Sequence, residues 1–157
     1  MMLYLLRHAE AEATAATDAL RPLTPKGLAQ ATGTAKFCED RALGPQVILT
    51  SPVRRAQETA QVIAEVFPKS PMIEVPWAAC GMDPEQALQE LSAYPSFSSV
   101  MLVGHQPDLS VLAAVLLGLN HSEALRVGKS LLMGIDLNGR FQAGSGTLHF
   151  FVPAKLM

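Results

Sequence analysis

Four short apolar runs alternate with helical patterns up to Leu117, and this alternation most constrains what the chain can fold into. The runs cover Met2–Leu6, Gln46–Thr50, Met72–Val75 and Val100–Val103. They are mostly rich in Val, Ile and Leu, which is typical of parallel strands that are covered on both faces. The pattern therefore predicts a largely parallel sheet whose strands are joined by helices.

Helix signals occupy the segments between these runs. Thr24 followed by Pro25 is typical of a capped helix start. The spacing of start signals and apolar residues predicts three further helices. The residues that indicate the four helices are Leu28, Ala31, Ala35 and Cys38 for the first; Ser51, Pro52, Ala56, Ala60, Ile63 and Phe67 for the second; Asp83, Pro84 and Gln86 for the third; and Leu109, Leu112, Ala113, Leu116, Leu117 and Gly118 for the fourth.

The last part of the chain follows a different pattern. Two strands are predicted, Ser130–Leu137 and Thr147–Val152, joined by a loop in which Asn138-Gly139 is a hairpin signal. The expected fold is α/β, a three-layer α/β/α sandwich with a mostly parallel central sheet and an antiparallel C-terminal strand addition. A chain of 157 residues suits one domain, which we expect to span residues 1–157.

The composition excludes several classes of protein. Lys and Arg number 12 and Asp and Glu 14, a net charge of −2, so there is no global basic surface for nucleic acid or an anionic membrane. The two cysteines, Cys38 and Cys80, are expected to be reduced thiols. The apolar start is too short for a signal peptide, and no stretch approaches the ~20 residues that span a bilayer. We therefore expect a cytoplasmic protein.

Basic residues follow the first two apolar runs directly or nearly so. The first pair, Arg7-His8, comes at the end of a run, where ligands bind in α/β sheets. It could equally be a solvated arginine beside a structural histidine. The second pair, Arg54-Arg55, lies in the first turn of a predicted helix. Positive charge there opposes the helix dipole unless an anion is bound, although Glu58 could also compensate it.

A third such segment, Gly104-His105, follows the fourth run. Gly104 permits close approach of the backbone to a ligand, whereas His105 alone is more often structural. Because the carboxyl ends of parallel strands meet at one edge of a sheet, the three segments are expected to lie together. They would form a pocket of arginines and histidines suited to a phosphoryl dianion, on a chain that is slightly acidic.

Four segments taken together resemble the histidine phosphatase superfamily. They are LLRHAE at Leu5–Glu10, LTPKGLAQA at Leu23–Ala31, SPVRRAQETA at Ser51–Ala60 and VGH at Val103–His105. The short chain, the lack of an insertion in the core and Arg21–Thr24 resemble the SixA-type phosphohistidine phosphatases of that superfamily. The resemblance implies a phosphoglycerate mutase-like fold.

The resemblance also implies roles for individual residues. His8 is expected to be the nucleophile that becomes phosphohistidine, and Arg7 and Arg55 are expected to clamp the phosphoryl group. His105, in a protonated form, is expected to donate a hydrogen bond to that group. These residues supply a nucleophile and charge stabilisation without a metal, so the expected cofactor list is empty.

Arg55 is preferred over Arg54 because it directly precedes the sequence AQET. Arg21 and Gly104 are weaker candidates for substrate binding. Ala9 stands where most of the superfamily has glycine, a departure that the SixA-type branch shares.

A second departure bears on the substrate. Members that cleave phosphate esters usually carry an acidic proton donor after the third strand, and here only Asp83 lies near. Asp83 is better explained as a helix cap, and Glu10 and Glu12 remain weak candidates. A P–N bond needs less acid help, because an imidazole whose conjugate acid has a pKa near ~6.5 is a good leaving group.

The expected function is hydrolysis of phosphohistidine on a signalling or carrier protein, by a monomeric enzyme. A phosphatase of small phosphate monoesters in the same superfamily is the alternative. A mutase is disfavoured because the chain lacks the segments that enclose a bisphosphate. A non-catalytic phosphohistidine-binding module is a further alternative from a different class.

Overall fold

The computed structural model describes every residue from Met1 to Met157. Six strands form one sheet, and four helices and several short 3-10 turns connect them. The strands are β1 Met2–Arg7, β2 Val47–Thr50, β3 Met72–Glu74, β4 Ser99–Gly104, β5 Leu132–Asp136 and β6 Thr147–Val152. Their order across the sheet is β3-β2-β4-β1-β5-β6.

The first four strands run parallel to one another, and the last two are added antiparallel. Strand β4 lies in the centre, paired with β1 on one side and β2 on the other. The register places Arg7 opposite Gly104 and Thr50 opposite Val103, so three strands end at the same edge. Strand β5 pairs antiparallel with β1, and β6 pairs antiparallel with β5. The expected sheet is thereby confirmed.

Two pairs of helices cover the two faces of the sheet. The helices are α1 Pro25–Asp40, α2 Arg54–Val66, α3 Pro84–Leu91 and α4 Asp108–Leu117. One apolar core joins the sheet to α1 and α2 through residues such as Ala35 and Ile63. The other joins the opposite face to α3 and α4 through residues such as Leu91 and Leu112. The result is the predicted three-layer sandwich.

Several helix ends follow the local chemistry of the sequence. Thr24 Oγ1 accepts a hydrogen bond from the Gly27 N–H at 2.9 Å, which caps α1. The Asp83 carboxylate accepts from the first N–H groups of α3, so Asp83 is a helix cap. Helix α4 ends at Gly118, whose φ of 68° is the left-handed conformation that glycine adopts without strain.

Three expectations about the elements were wrong in detail. Helix α2 begins at Arg54 rather than at Ser51-Pro52, because Ser51 Oγ instead accepts from the Val53 N–H and lies beside a histidine. Strand β3 is exposed, because it forms the edge of the sheet. Leu28 is 52% exposed and points away from the core that the rest of its stripe joins. None of the helices combines the length and the apolar character that a membrane-spanning helix needs.

Candidate functional site

A cleft of about 300 Å³ opens at the edge of the sheet where β1, β2 and β4 end. It contains five residues singled out from the sequence together with four that were not. The lining residues are Arg7, His8, Ala11, Arg21, Arg55, Cys80, His105, Gln106 and Lys129.

Gly104 does not line the cleft. A side chain at this position would meet Leu109 at 3.3 Å, so the glycine makes room for α4, and its carbonyl accepts from the His8 N–H at 3.0 Å.

His8 is held in one tautomer. Its Nδ1 lies 2.8 Å from the carbonyl oxygen of Ala9, and a carbonyl only accepts, so Nδ1 carries the proton. The other nitrogen, Nε2, accepts from Arg55 Nε at 3.3 Å and bears the free electron pair. Burial lowers the pKa of His8 from 6.5 to about 3; the bond to Ala9 opposes this, and nearby positive charges add to it. The imidazole is therefore neutral at neutral pH, chiefly because it is buried.

Arg55 is the most extensively bonded side chain of the cleft, and it is only 4% exposed. Besides His8, its guanidinium donates to the Asp18 backbone oxygen at 3.0 Å and to Asp18 Oδ2 at 3.2 Å. Its Nη2 also contacts Cys80 Sγ at 3.6 Å. By contrast, Arg54 points to solvent and pairs with Glu58 at 2.7 Å. Of the two arginines, Arg55 therefore lines the cleft and Arg54 does not.

Arg7 approaches the cleft from the end of β1. Its Nη1 donates to the carbonyl oxygen of Val127 at 2.8 Å, and its buried Nε has no partner. Burial, and then the charge of Arg55, lower the pKa of Arg7, yet an arginine remains protonated in proteins. Two guanidinium groups therefore lie beside His8 with donors available for an oxyanion.

His105 lies across the cleft from His8, with 5.2 Å between the ring centroids. Its Nε2 lies 2.7 Å from Ser51 Oγ, while Nδ1 is buried without a partner. Burial, and then the Arg55 charge, lower the pKa of His105 from 6.5 to about 4. In the free protein His105 is therefore neutral, since a buried imidazole beside two guanidinium groups favours its neutral form, and a protonated His105 in the phosphoryl-bound state stays a prediction.

The carboxylates proposed as proton donors do not line the cleft. Asp83 caps α3, and Glu10 is bound by Lys26 at 3.0 Å, a bond that lowers the pKa of Glu10. Glu12 is exposed, and its backbone oxygen accepts from Arg21 at 3.0 Å. The carboxylate that reaches the site is that of Asp18. Burial works against its ionisation, but the charges and hydrogen bonds of the adjacent arginines hold the pKa of Asp18 below its ordinary value.

Sequence reasoning missed the residues that reach the site from outside the strand ends. Asp18 comes from the long loop after β1, where its spacing of three from Arg21 was a weak signal. Lys129 and Cys80 come from segments without periodicity, and no pattern marked them. Burial raises the pKa of the Cys80 thiol, so it is neutral. No group of three or more His, Cys, Asp or Glu side chains is arranged to hold a metal ion.

Comparison with known proteins identifies relatives of this chain. The model of the histidine phosphatase superfamily (branch 1) matches residues 3–77. A protein of Picosynechococcus sp. without an assigned function is 32% identical over 146 residues, which cover 86% of this chain and 84% of the relative. Phosphohistidine phosphatase SixA of Escherichia coli is 26% identical over 119 residues, 74% of each chain.

The structure of the protein histidine phosphatase SixA complexed with tungstate superimposes with a TM-score of 0.88. The superposition covers 99% of this chain and 98% of the SixA chain at 23% identity, which establishes the shared fold. The family match and the similarity to SixA support phosphatase activity. The chain belongs to the histidine phosphatase superfamily.

Proposed function

We propose that the protein is a metal-independent phosphatase that carries the phosphoryl group covalently on His8. The observation that supports this most is the tautomer of His8, whose Nδ1–H is bound to the Ala9 carbonyl so that Nε2 holds the electron pair. With a pKa of about 3, the His8 imidazole is unprotonated at neutral pH and able to attack. The guanidinium groups of Arg7 and Arg55 flank it.

In the first step, Nε2 of His8 attacks phosphorus, a P–N bond to His8 forms, and the bond from phosphorus to the leaving group breaks. Arg7, Arg55 and the Nδ1–H of His105 stabilise the charge on the equatorial oxygens. In the second step, a water oxygen attacks the phosphoryl group. The bond to His8 breaks, its electron pair returns to Nε2, and both protons of the water leave with the phosphate.

The proposed substrate is phosphohistidine on the surface of a phosphotransfer or carrier protein. No carboxylic acid lines the cleft, so an alkoxide leaving group finds no evident proton donor. The imidazole of phosphohistidine leaves as a neutral ring once solvent has protonated its other nitrogen, which requires no donor from the protein. The Escherichia coli relative is named a phosphohistidine phosphatase, and the superimposed SixA structure holds tungstate, an oxyanion like phosphate. We expect the enzyme to act as a cytoplasmic monomer.

The carboxylate of Asp18 is the feature of the site that favours a small phosphate monoester as substrate. Asp18 Oδ2 accepts from Arg55 at 3.2 Å, and the protonated form of this side chain would be a donor to an ester oxygen. However, the adjacent arginines hold the pKa of Asp18 below its ordinary value, so it is ionised at neutral pH and poorly suited to donate. The P–N substrate therefore fits the site better.

The test is a competition under one set of conditions. Purified enzyme receives a phosphohistidine protein together with sugar, nucleotide and serine phosphates, with and without EDTA. We expect the phosphohistidine protein to lead in kcat/KM by at least about a hundredfold, since general-acid help is worth roughly 10²–10⁴. A monoester as the best substrate would replace this proposal, and a protein without turnover of even p-nitrophenyl phosphate would be a binding module.

A further inference from the structure

The segment Val127–Ser130 is built around the nucleophile although it lies far from it in sequence. The Val127 carbonyl oxygen accepts from Arg7, and the Ser130 N–H donates to the carbonyl oxygens of both Arg7 and His8 at 3.1 and 3.2 Å. Ser130 has a φ of 54°, an unfavourable conformation for a residue with a side chain. Such strain is retained where surrounding contacts enforce it.

Those contacts fix the position of Lys129 at the rim of the cleft. Ser130 Oγ lies 2.9 Å from Thr34 Oγ1, and both residues are fully buried. Lys129 is thus presented between two anchored residues, and its side chain lines the cleft while remaining 43% exposed. Its nearest carboxylate is Glu10 at 4.0 Å, which is already bound to Lys26 at 3.0 Å. The ammonium group of Lys129 therefore has no close ion-pair partner of its own and remains available to a ligand at the rim.

The charge of the site exceeds that of a phosphoryl group. Both histidines are neutral at pH 7, because the pKa values of His8 and His105 are about 3 and about 4. The lining carries four cations, Arg7, Arg21, Arg55 and Lys129, and one carboxylate bonded to them at 3.2 Å or less, that of Asp18. Glu10 lies 4.0 Å from Lys129, but its charge is offset by the closer ion pair with Lys26 at 3.0 Å. The net charge is +3, and a phosphoryl dianion neutralises only two of these charges.

We propose that Lys129 forms an anion subsite at the rim, which selects substrates carrying a second negative group beside the phosphoryl group. This inference rests on the proposed function, because it takes the phosphoryl site to lie at Arg7 and Arg55. The ligand is a phosphorylated compound with a nearby carboxylate. That carboxylate is either part of the same small molecule or an acidic side chain next to phosphohistidine on a protein.

Arg21 lines the same rim but is less available for this task. Its Nε lies 2.9 Å from Asp18 Oδ1, and its Nη1 donates to the Glu12 carbonyl at 3.0 Å. Asp18 also joins Arg21 to Arg55, so this pair is already partly neutralised. The selection for a second anion is therefore assigned to Lys129.

The first experiment measures binding without turnover, so its failure is distinguishable from failure of the phosphatase proposal. Calorimetry compares 3-phosphonopropionate with propylphosphonate, which lacks the carboxylate. Wild-type protein should prefer the first by about three- to fivefold, the size of a partly exposed charge pair, and less at high salt. Lys129→Gln should bind both equally, and Lys129→Glu should reverse the preference. Lys36→Gln is the matched control, because Lys36 pairs with Asp40 and does not line the cleft.

The second experiment distinguishes the two sources of the carboxylate. Two phosphohistidine peptides, identical except for Asp or Asn beside the phosphohistidine, are compared by kcat/KM on wild type and Lys129→Gln. The proposal is supported if wild type prefers the member of a pair that carries the extra carboxylate and Lys129→Gln does not. If this happens with the two phosphonates, the carboxylate belongs to a small molecule; if it happens with the two peptides, it belongs to a protein. The proposal is overturned if wild type shows equal affinity for the two phosphonates and equal kcat/KM for the two peptides. It is also overturned if Lys129→Gln keeps the full preference of wild type. Thermal unfolding of each variant verifies that it is folded.

Discussion

Ser51 Oγ lies 2.7 Å from Nε2 of His105, and both side chains are buried. Ser51 Oγ also accepts from the Val53 N–H at 3.2 Å, so the hydroxyl proton remains free to be donated to Nε2. We expect Ser51 to donate to Nε2 and His105 therefore to carry its own proton on Nδ1, the nitrogen without a partner in the free protein. Since the pKa of His105 is about 4, a neutral imidazole can donate to a phosphoryl oxygen only if its tautomer is set in this way.

Replacement of Ser51 by Ala should therefore reduce kcat/KM by about tenfold, equivalent to about 1.4 kcal/mol of transition-state stabilisation. Nitrogen NMR shifts of the His105 ring should show a protonated Nδ1 in wild type and a mixture of tautomers in Ser51→Ala. Ser51→Thr keeps the hydroxyl and serves as the control. An unchanged His105 tautomer in Ser51→Ala, with full activity, would contradict this role.

His8→Ala should abolish turnover, because the other neutral imidazole of the cleft, that of His105, has its Nε2 engaged by Ser51 Oγ at 2.7 Å. Wild-type enzyme quenched during turnover and denatured should carry phosphate that is labile in acid and stable in base, as expected of phosphohistidine. Mass spectrometry of the quenched enzyme locates the group. Full activity of His8→Ala, or phosphate found on another residue, would show that the mechanism is wrong.

Arg55→Ala should lower kcat/KM by at least about tenfold. A charge-assisted hydrogen bond is worth roughly 1.5–3 kcal/mol, and Arg55 also donates to the attacking nitrogen of His8. Arg54→Ala is the matched control, because the neighbouring arginine is exposed and paired with Glu58. Steady-state kinetics of both variants on one substrate provide the measurement. Equal or greater damage from Arg54→Ala would reverse the assignment.

The residues at the strand ends could be predicted from the sequence because parallel strands impose a common edge. Arg7, His8 and His105 follow buried runs, so their convergence required only that the strands be parallel. The position of Arg55 could likewise be inferred from its place in the first turn of a helix that follows a strand. At these positions the local sequence pattern and the parallel arrangement of the strands lead to the same placement of the side chains.

The supporting contacts could not be predicted in this way. Ser51 reads as a helix cap, and only its distance from His105, a residue 54 positions away, reveals a different role. Lys129 reaches the cleft through hydrogen bonds between residues about 120 positions apart in the chain. The lowered pKa of His105 could not be predicted either, because burial, its largest cause, is a property of the packed structure.

The two buried histidines should make stability fall as the pH decreases below about 6.5. The pKa values of His8 and His105 are about 3 and about 4 in the folded protein, below the ordinary value of 6.5. At a pH between the folded pKa and 6.5, the unfolded chain binds protons that the folded chain does not. The free energy of unfolding therefore rises with pH in this range. Each histidine adds a slope of at most about 1.4 kcal/mol per pH unit. Urea unfolding at pH 7, 6 and 5 should show a steeper dependence in wild type than in a His8→Gln/His105→Gln variant, which keeps every carboxylate. Identical slopes would mean that the two imidazoles titrate normally in the folded protein.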